Sequence, residues 1–516
     1  MPSRNKVLRN LNAVERKILC ETSSGLRNGA VFSATYFAGS AEREISDNAT
    51  LQSEKCHRLT ESAIWGALSK IIEDHAELRY TVNSDLQFEP LASIKFNDVV
   101  HKVEFECYKD EQVNCYGGAP PYLLRHIFDK CFFTLGRGKP LWQLFIVDES
   151  MVIFHGHEVL FDDFAAANFH KTFLTVLNSL KSQNTKKVTS QFVFQHRHGL
   201  SPLQTSIFDR QQLSLLSMIY SPLGSSMPAL LKDFYNLAIK KPLHFIEYGR
   251  FEHHTPTILN LPSENLKFNQ LCGKVVFGTV GNMRLNALQK ELDRMGTSLQ
   301  AFITAATIFC LEPIVDTTLA SFSICVPMNL RKSIDKSPEL GLFHKNVIID
   351  CPAGLRGGGN QKFDTFRQEN LEGVTLNDAG SSKSDFDTES HFESVLSLVS
   401  GKLKSALTRW KTLRFEDDDL KWMKTEALDS CSPSSSRVVE INDLTGVDFS
   451  TSRDDRYHIR DVCASKSRNS DTFISVSYCS SSSTGLTLGI HYYENSIIDN
   501  FVERLETFID AYPNLV

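Results

Sequence analysis

The sequence predicts a mixed α/β protein of two domains, and three observations carry that prediction. At 516 residues the chain exceeds what one hydrophobic core ordinarily serves, so it divides. Hydrophobic residues make up 41% and charged residues 22%, a globular balance rather than a disordered one. Short β-favouring runs occur together with amphipathic helical stretches along the chain, which makes it a mixture of strands and helices.

In chain order, residues 11–19 have helical spacing, with Leu11, Val14, Ile18 and Leu19 on one side. Residues 30–37 alternate around Val31 and Phe32 and read as a strand, and 38–57 read as a polar loop. Thr60 is placed to cap a helix over 60–75 whose buried side is Ile64, Leu68, Ile71 and Ile72. An extended piece starts at Tyr80, and 120–133 is helical. Residues 144–147 and 151–154 are apolar β runs separated by the turn residues Asp148, Glu149 and Ser150. A dense polar group follows: His155, His157, Glu158, Asp162 and Asp163. The next stretch is a helix with Phe164, Phe169, Phe173 and Leu174 on its apolar side. Asp162 or Asp163 can accept the unpaired N–H groups of its first turn. Ionisable groups gathered at a strand end are costly to bury, which marks this bend as a functional candidate.

Beyond it, 182–187 is a polar linker, and 204–219 and 228–239 are helices. Lys240, Lys241, Leu243, Phe245 and Ile246 then form either a peripheral patch for endoplasmic reticulum or lipid-droplet membrane or the end of a crossover helix, where basic residues favour the dipole. The second half begins with a strand over 274–279 and a helix over 282–296 closed by Gly296. Thr297 or Ser298 caps an interior helix over 299–311, and 319–326 is a strand leading into Pro327, Asn329, Leu330 and Arg331. A surface insertion occupies 354–390, and 392–411 is helical. Strands over 438–444, 473–477 and 486–493, the last two an antiparallel pair, precede an amphipathic closing helix over 496–512. The expected division is 1–195, a helical crossover over 196–258, and 259–516.

Several classes are excluded or disfavoured. A net charge of −6 gives no electrostatic case for nucleic acid. The 12 cysteines include no C-x-x-C pair, and no signal peptide or apolar run near ~20 residues is visible, so a cytoplasmic, monomeric protein is expected. His155 and His157 stand at i and i+2, as two metal ligands would, but no third ligand has suitable spacing, so no metal is expected. Gly357–Gly359 lacks the GK[ST] of a phosphate loop, and no G-x-S-x-G elbow is present.

The bend resembles the active-site segment of the yeast alcohol O-acetyltransferase family, which includes N-acetyltransferases of sphingosine-like compounds. That family falls within the CoA-dependent acyltransferases built like chloramphenicol acetyltransferase and the plant BAHD enzymes. The shared motif is H-x-x-x-D-G. Aligned without gaps, Glu158 falls on the catalytic His, Asp162 on the Asp, Asp163 on the Gly, and His157 on the His that often precedes the motif. No histidine in the chain has an Asp four residues later. Pro140, Leu141 and Trp142, the P-x-N-L-R segment ending at Arg331, and the ending around 485–494 also resemble the family. The resemblance implies two chloramphenicol-acetyltransferase-like domains, each a mixed sheet flanked by helices, with an interdomain tunnel. It implies transfer of an acetyl group from acetyl-CoA, as co-substrate, to a small-molecule alcohol or amine. Asp162 would hold the motif loop through an Arg, for which Arg331 is the candidate, with Asn329 and Asp163 in supporting positions.

Three roles compete at the departed position. Glu158 is the base if apolar surroundings raise a carboxylate from its usual ~4.3 toward ~6–7. His157 is the base if a bulge re-aims it, since neighbouring strand residues point to opposite faces. Alternatively the site is degenerate and the chain is a scaffold that binds CoA or an acyl ligand, general-base catalysis being worth roughly 10²–10⁴-fold.

Overall fold

The computed structural model describes residues 8–39, 58–108, 119–180, 191–203, 273–311, 322–333, 339–351, 383–411, 437–467, 472, 474–493 and 496–512, apart from positions 24, 26 and 198. The linker 182–187, the helices expected over 204–219 and 228–239, the patch from Lys240 to Ile246 and most of the 354–390 insertion lie outside them.

Two large sheets organise the chain. The first has five strands in the spatial order Tyr457–Lys466, Ala30–Ala38, Met151–Gly156, Trp142–Val147 and Val100–Val103. Its pairings are antiparallel except the last, which is parallel. The second has six strands in the order Gly273–Val280, Gly485–Tyr493, Ile474–Ser481, Arg437–Asp443, Phe322–Asn329 and His344–Cys351. Here the outer pairings are antiparallel and the central two parallel. Both sheets are mixed and helix-covered, as the sequence leads one to expect.

Local chemistry explains the elements that build the first sheet. Asp148 and Glu149 both adopt positive φ, 47° and 56°, in the three-residue turn Asp148–Ser150 that joins Trp142–Val147 to Met151–Gly156. The helix Glu61–Asp74 starts where Thr60 accepts the Ala63 N–H, and it buries Ile64, Ala67, Leu68, Ile71 and Ile72. The helix Asp163–Ser179 lays Phe169, Phe173, Leu174 and Leu177 on the same core.

In the second half, Leu299–Leu311 is buried on every side from Ala301 onward. It packs between the helices Lys383–Lys411 and Ser496–Ala511. The closing helix turns Ile498, Phe501, Val502, Leu505 and Ile509 inward, at the periodicity its sequence shows.

Within the two large sheets, Val100–Val103, His344–Cys351 and Tyr457–Lys466 are not foreseen from the sequence, nor are the short strands Arg9–Asn10, Gln87–Pro90, Ser93–Lys95 and Phe192–Gln195 outside them. Tyr457–Lys466 has its alternation broken by His458, Arg460 and Asp461, and a bulge falls between Ile459 and Asp461. It comes more than 400 residues later in the chain, yet it pairs with Ala30–Ala38, from Tyr457 opposite Ala38 to Lys466 opposite Ala30. The expected 259–516 unit therefore lends a strand to the first sheet.

This crossover strand also abuts the second sheet. An added Cβ on Gly489 would lie 2.0 Å from the Ala464 carbonyl oxygen, so only glycine allows the approach. Phe277 and Val275 of the second sheet share an apolar cluster with Val31, Ile153 and Cys463 of the first. Gly489→Ala should force the sheets apart and lower stability by about 1–3 kcal/mol. Urea unfolding followed by tryptophan fluorescence should show an earlier midpoint, and an unchanged midpoint would refute the close-approach argument.

Candidate active site

The strand Met151–Gly156 ends at a glycine whose Cβ would meet Phe154 at 2.8 Å and Phe161 at 3.1 Å. Its register against Ala30–Ala38 is uninterrupted through Gly156, so no bulge in it re-aims the histidines. A short turn follows, in which Leu160 and Phe161 donate their N–H groups to the His157 carbonyl. The helix then begins, with Asp162 as its N-cap. This bend is buried: His157 is 1%, Glu158 3%, Asp162 2% and Asp163 5% exposed.

Asp162 uses both carboxylate oxygens. Oδ1 accepts from the Ala165 N–H at 2.7 Å and from Arg331 at 2.8 Å. Oδ2 accepts from the Phe343 N–H at 2.7 Å and from Arg331 at 3.1 Å. Arg331 also donates to the Gly341 carbonyl at 2.7 Å, and Asn329 Oδ1 accepts the Arg331 N–H at 3.0 Å. Burial alone would raise the Asp162 carboxyl, but Arg331 and His344 outweigh it and hold it well below the usual carboxylate range.

Glu158 occupies the position of the motif histidine and is held by two cations. Arg27 donates to its Oε2 at 2.6 Å, and the Lys466 ammonium lies 3.4 Å from the same oxygen. Its Oε1 is buried and makes no hydrogen bond. Arg27 in turn pairs with Glu21 at 2.8 Å. Lys466 reaches Asp163 at 3.1 Å and Glu440 at 2.5 Å. The loop that carries Arg27 is pinned by Asn28, whose amide donates to the Ile127 and Phe128 carbonyls. It is pinned again by Gly29 at φ +85°, where a Cβ would lie 2.4 Å from the Gly156 carbonyl oxygen.

The two histidines point elsewhere. Both pack against Phe133, with ring centroids 4.5 Å and 5.3 Å away. His155 Nε2 lies 2.6 Å from the Asn28 carbonyl. His157 Nδ1 accepts the Val159 N–H at 3.0 Å, which assigns its proton to Nε2. Burial pushes both imidazoles down, to about 4 for His155 and about 3 for His157. No group of residues suited to a metal occurs among the described residues.

The sequence singled out Glu158, Asp162, Asp163, Arg331 and Asn329, and the fold brings all five to this junction. It gave no signal for Arg27, Lys466, Glu440 or Asn442, which arrive from distant segments. Two surface cavities, of about 530 and 500 Å³, lie away from the bend. One is beside His458 and Ser480–Ser483, and the other beside Ile64 and Ile146.

Two sheets joined by a crossover strand, with an Asp–Arg pair at the start of the motif helix, define the two-domain architecture of the chloramphenicol-acetyltransferase-like acyltransferases. The chain belongs to the alcohol acetyltransferase family, whose sequence model matches residues 36–345. It is 34% identical over 523 residues to PSTB2-interacting protein 1 of Saccharomyces cerevisiae, covering 97% of this chain and 99% of that protein. Among solved structures it is similar to TRI3 trichothecene 15-O-acetyltransferase from Fusarium sporotrichioides, with a TM-score of 0.61 and 11% identity, over 99% and 96% of the two chains. The condensation domain of the monacolin K polyketide synthase MokA is also similar, with a TM-score of 0.55 and 12% identity, over 98% of each. Acyl transfer is thus the chemistry of the family. No described helix is long and apolar enough to cross a membrane.

Arg331→Ala would leave Asp162 buried with only two backbone N–H donors and His344 beside it, at a cost of roughly 3–5 kcal/mol near neutral pH. A carboxyl lowered by folding stabilises the protein above its unfolded value and loses that contribution as pH falls. The deficit of Arg331→Ala should therefore shrink below pH ~4. Urea titrations of both proteins at pH 7 and in that acid range would test this, and an equal deficit at both would refute it.

Proposed function

We propose that this chain is a non-catalytic member of the alcohol acetyltransferase family, a binding scaffold that keeps the fold and has given up the general base. The observation that carries this is Glu158, clamped by Arg27 at 2.6 Å and Lys466 at 3.4 Å where the family has its histidine. A base must offer a basic lone pair to the acceptor's proton. Glu158 offers a carboxylate already neutralised by two cations, and using it would mean breaking a buried ion pair. His157 does not replace it, because its Nδ1 is taken by Val159, its Nε2 carries the proton, and burial has pushed it to about 3. Asp163 adds a further carboxyl where the family motif has glycine. It occupies Lys466 instead of leaving that ammonium to stabilise a developing oxyanion.

The ligand proposed for the scaffold is a CoA thioester or acyl group, the class the fold was built around. The yeast relative is named for its interaction with another protein, and a protein partner is proposed for this chain on that likeness alone. A second reading, acetyl transfer from acetyl-CoA to an alcohol or long-chain amine, has one observation in its favour. Glu158 Oε1 makes no hydrogen bond and would be the atom to take the acceptor's proton.

The two readings separate in one assay. Purified protein incubated with acetyl-CoA and a panel of alcohols and amines should release free CoA no faster than buffer, and Glu158→Gln should change nothing. Release that needs an acceptor and is lost in Glu158→Gln would overturn the scaffold reading and establish acetyl transfer.

A further inference from the structure

Three carboxylates, two from the motif bend and one from the second sheet, converge on one buried ammonium. Lys466 Nζ lies 2.5 Å from Glu440, 3.1 Å from Asp163 and 3.4 Å from Glu158. Glu440 comes from Arg437–Asp443, a central strand of the second sheet. Asp163 opens the motif helix, and Glu158 sits in the bend of the first domain. Lys466 itself ends the crossover strand, paired with Ala30, and the next residue is fixed by Ser467 N–H to the Gly29 carbonyl. The Asn442 amide, oriented to satisfy both its ends, donates to Glu440 and Asp163. Lys466 is 3% exposed, so little water competes for its charge.

We propose that Lys466 is the keystone of a pH-dependent latch that holds the two sheets together over the motif, gripping in mild acid and loosening as the solution turns alkaline. The latch stands whether or not the bend retains turnover, because it rests on the ion-pair geometry and on the burial of Asp163.

The charges facing it set the direction. Arg27 and Lys466 are the cations, and Glu21, Glu158, Asp163 and Glu440 the carboxyls. The buried His491 of the strand Gly485–Tyr493 has its Nδ1 3.0 Å from the Lys466 carbonyl. The neighbouring Asp162 is already matched by Arg331, with His344 beside it. Burial pushes the Asp163 carboxyl up, Lys466 pulls it down, and Glu440 and Glu158 push it up again, leaving it at about 6. For Lys466, burial works against the charge, but Asp163, Glu158 and Glu440 hold its ammonium protonated. A carboxyl raised by folding keeps its proton in the folded chain after the unfolded chain has lost it. Its contribution is complete below the unfolded value and is lost as pH rises through about 6. Above that, four carboxylates face two cations across the junction.

Hydrogen–deuterium exchange on the full chain, corrected for intrinsic rates, reads the latch segment by segment. Protection of 157–170, 437–443 and 460–467 should fall roughly fourfold between pH 5.5 and pH 8, while the core helix Leu299–Leu311 stays constant. Asp163→Asn keeps the shape and removes the titration, so its protection should be flat over this range. Lys466→Met should lower protection of the same segments at both pH values. Should that variant fail to fold, Lys466→Met with Glu440→Gln, which removes one charge of each sign, takes its place. Glu77 and Glu506 are also pushed up, to about 7, so the comparison with Asp163→Asn assigns the effect. Wild-type protection independent of pH, or an equally steep fall in Asp163→Asn, would overturn the proposal.

Discussion

One carboxylate fixes both where the motif helix begins and how the two halves meet. Asp162 caps the helix through Ala165, receives Arg331 from the end of the strand Phe322–Asn329, and takes the Phe343 N–H beside it. A buried carboxylate with four donors has no competing conformation of similar energy, because any shift strands a charge or an N–H without a partner. The bend from His157 to Asp163 is therefore rigid, and the side chains it presents, Glu158 above all, are aimed by this anchor.

Around that anchor the chemistry has been rearranged rather than erased. The glycine at Gly156 lets Phe154 and Phe161 close over the strand end. The proposed departure lies at Glu158. An imidazole there would need a free nitrogen and moderate basicity, whereas a carboxylate there needs cations. The cations present are the ones a carboxylate would recruit: Arg27 from a glycine-bracketed loop and Lys466 from the crossover strand. With Glu440 and Asp163 completing the set, carboxyls from the motif bend and the second sheet share two cations, which is an arrangement for holding parts together.

Much of the fold was legible because apolar periodicity is local. The helix at Glu61–Asp74 announced itself through Thr60 and four inward side chains, and the hairpin at Trp142–Val147 and Met151–Gly156 through its turn residues. The crossover strand was not legible, since its polar residues are accommodated by a bulge and by partners 280 to 440 positions away, such as Asn178 on Tyr457 and Glu158 on Lys466. The site divided along the same line. Motif spacing exposed Glu158, Asp162 and Asp163, and a short segment exposed Arg331. Arg27, Glu440 and Lys466 were hidden because a charged residue says nothing, in sequence, about which distant charge it will face.

The crossover strand also orders events during synthesis. Ala30–Ala38 is made early, but the neighbour that covers one of its edges, Tyr457–Lys466, follows more than four hundred residues later. At roughly 5–20 residues per second that edge waits for some tens of seconds with its backbone groups open to pairing. A ribosome-bound chain thus carries an uncovered strand edge through most of translation.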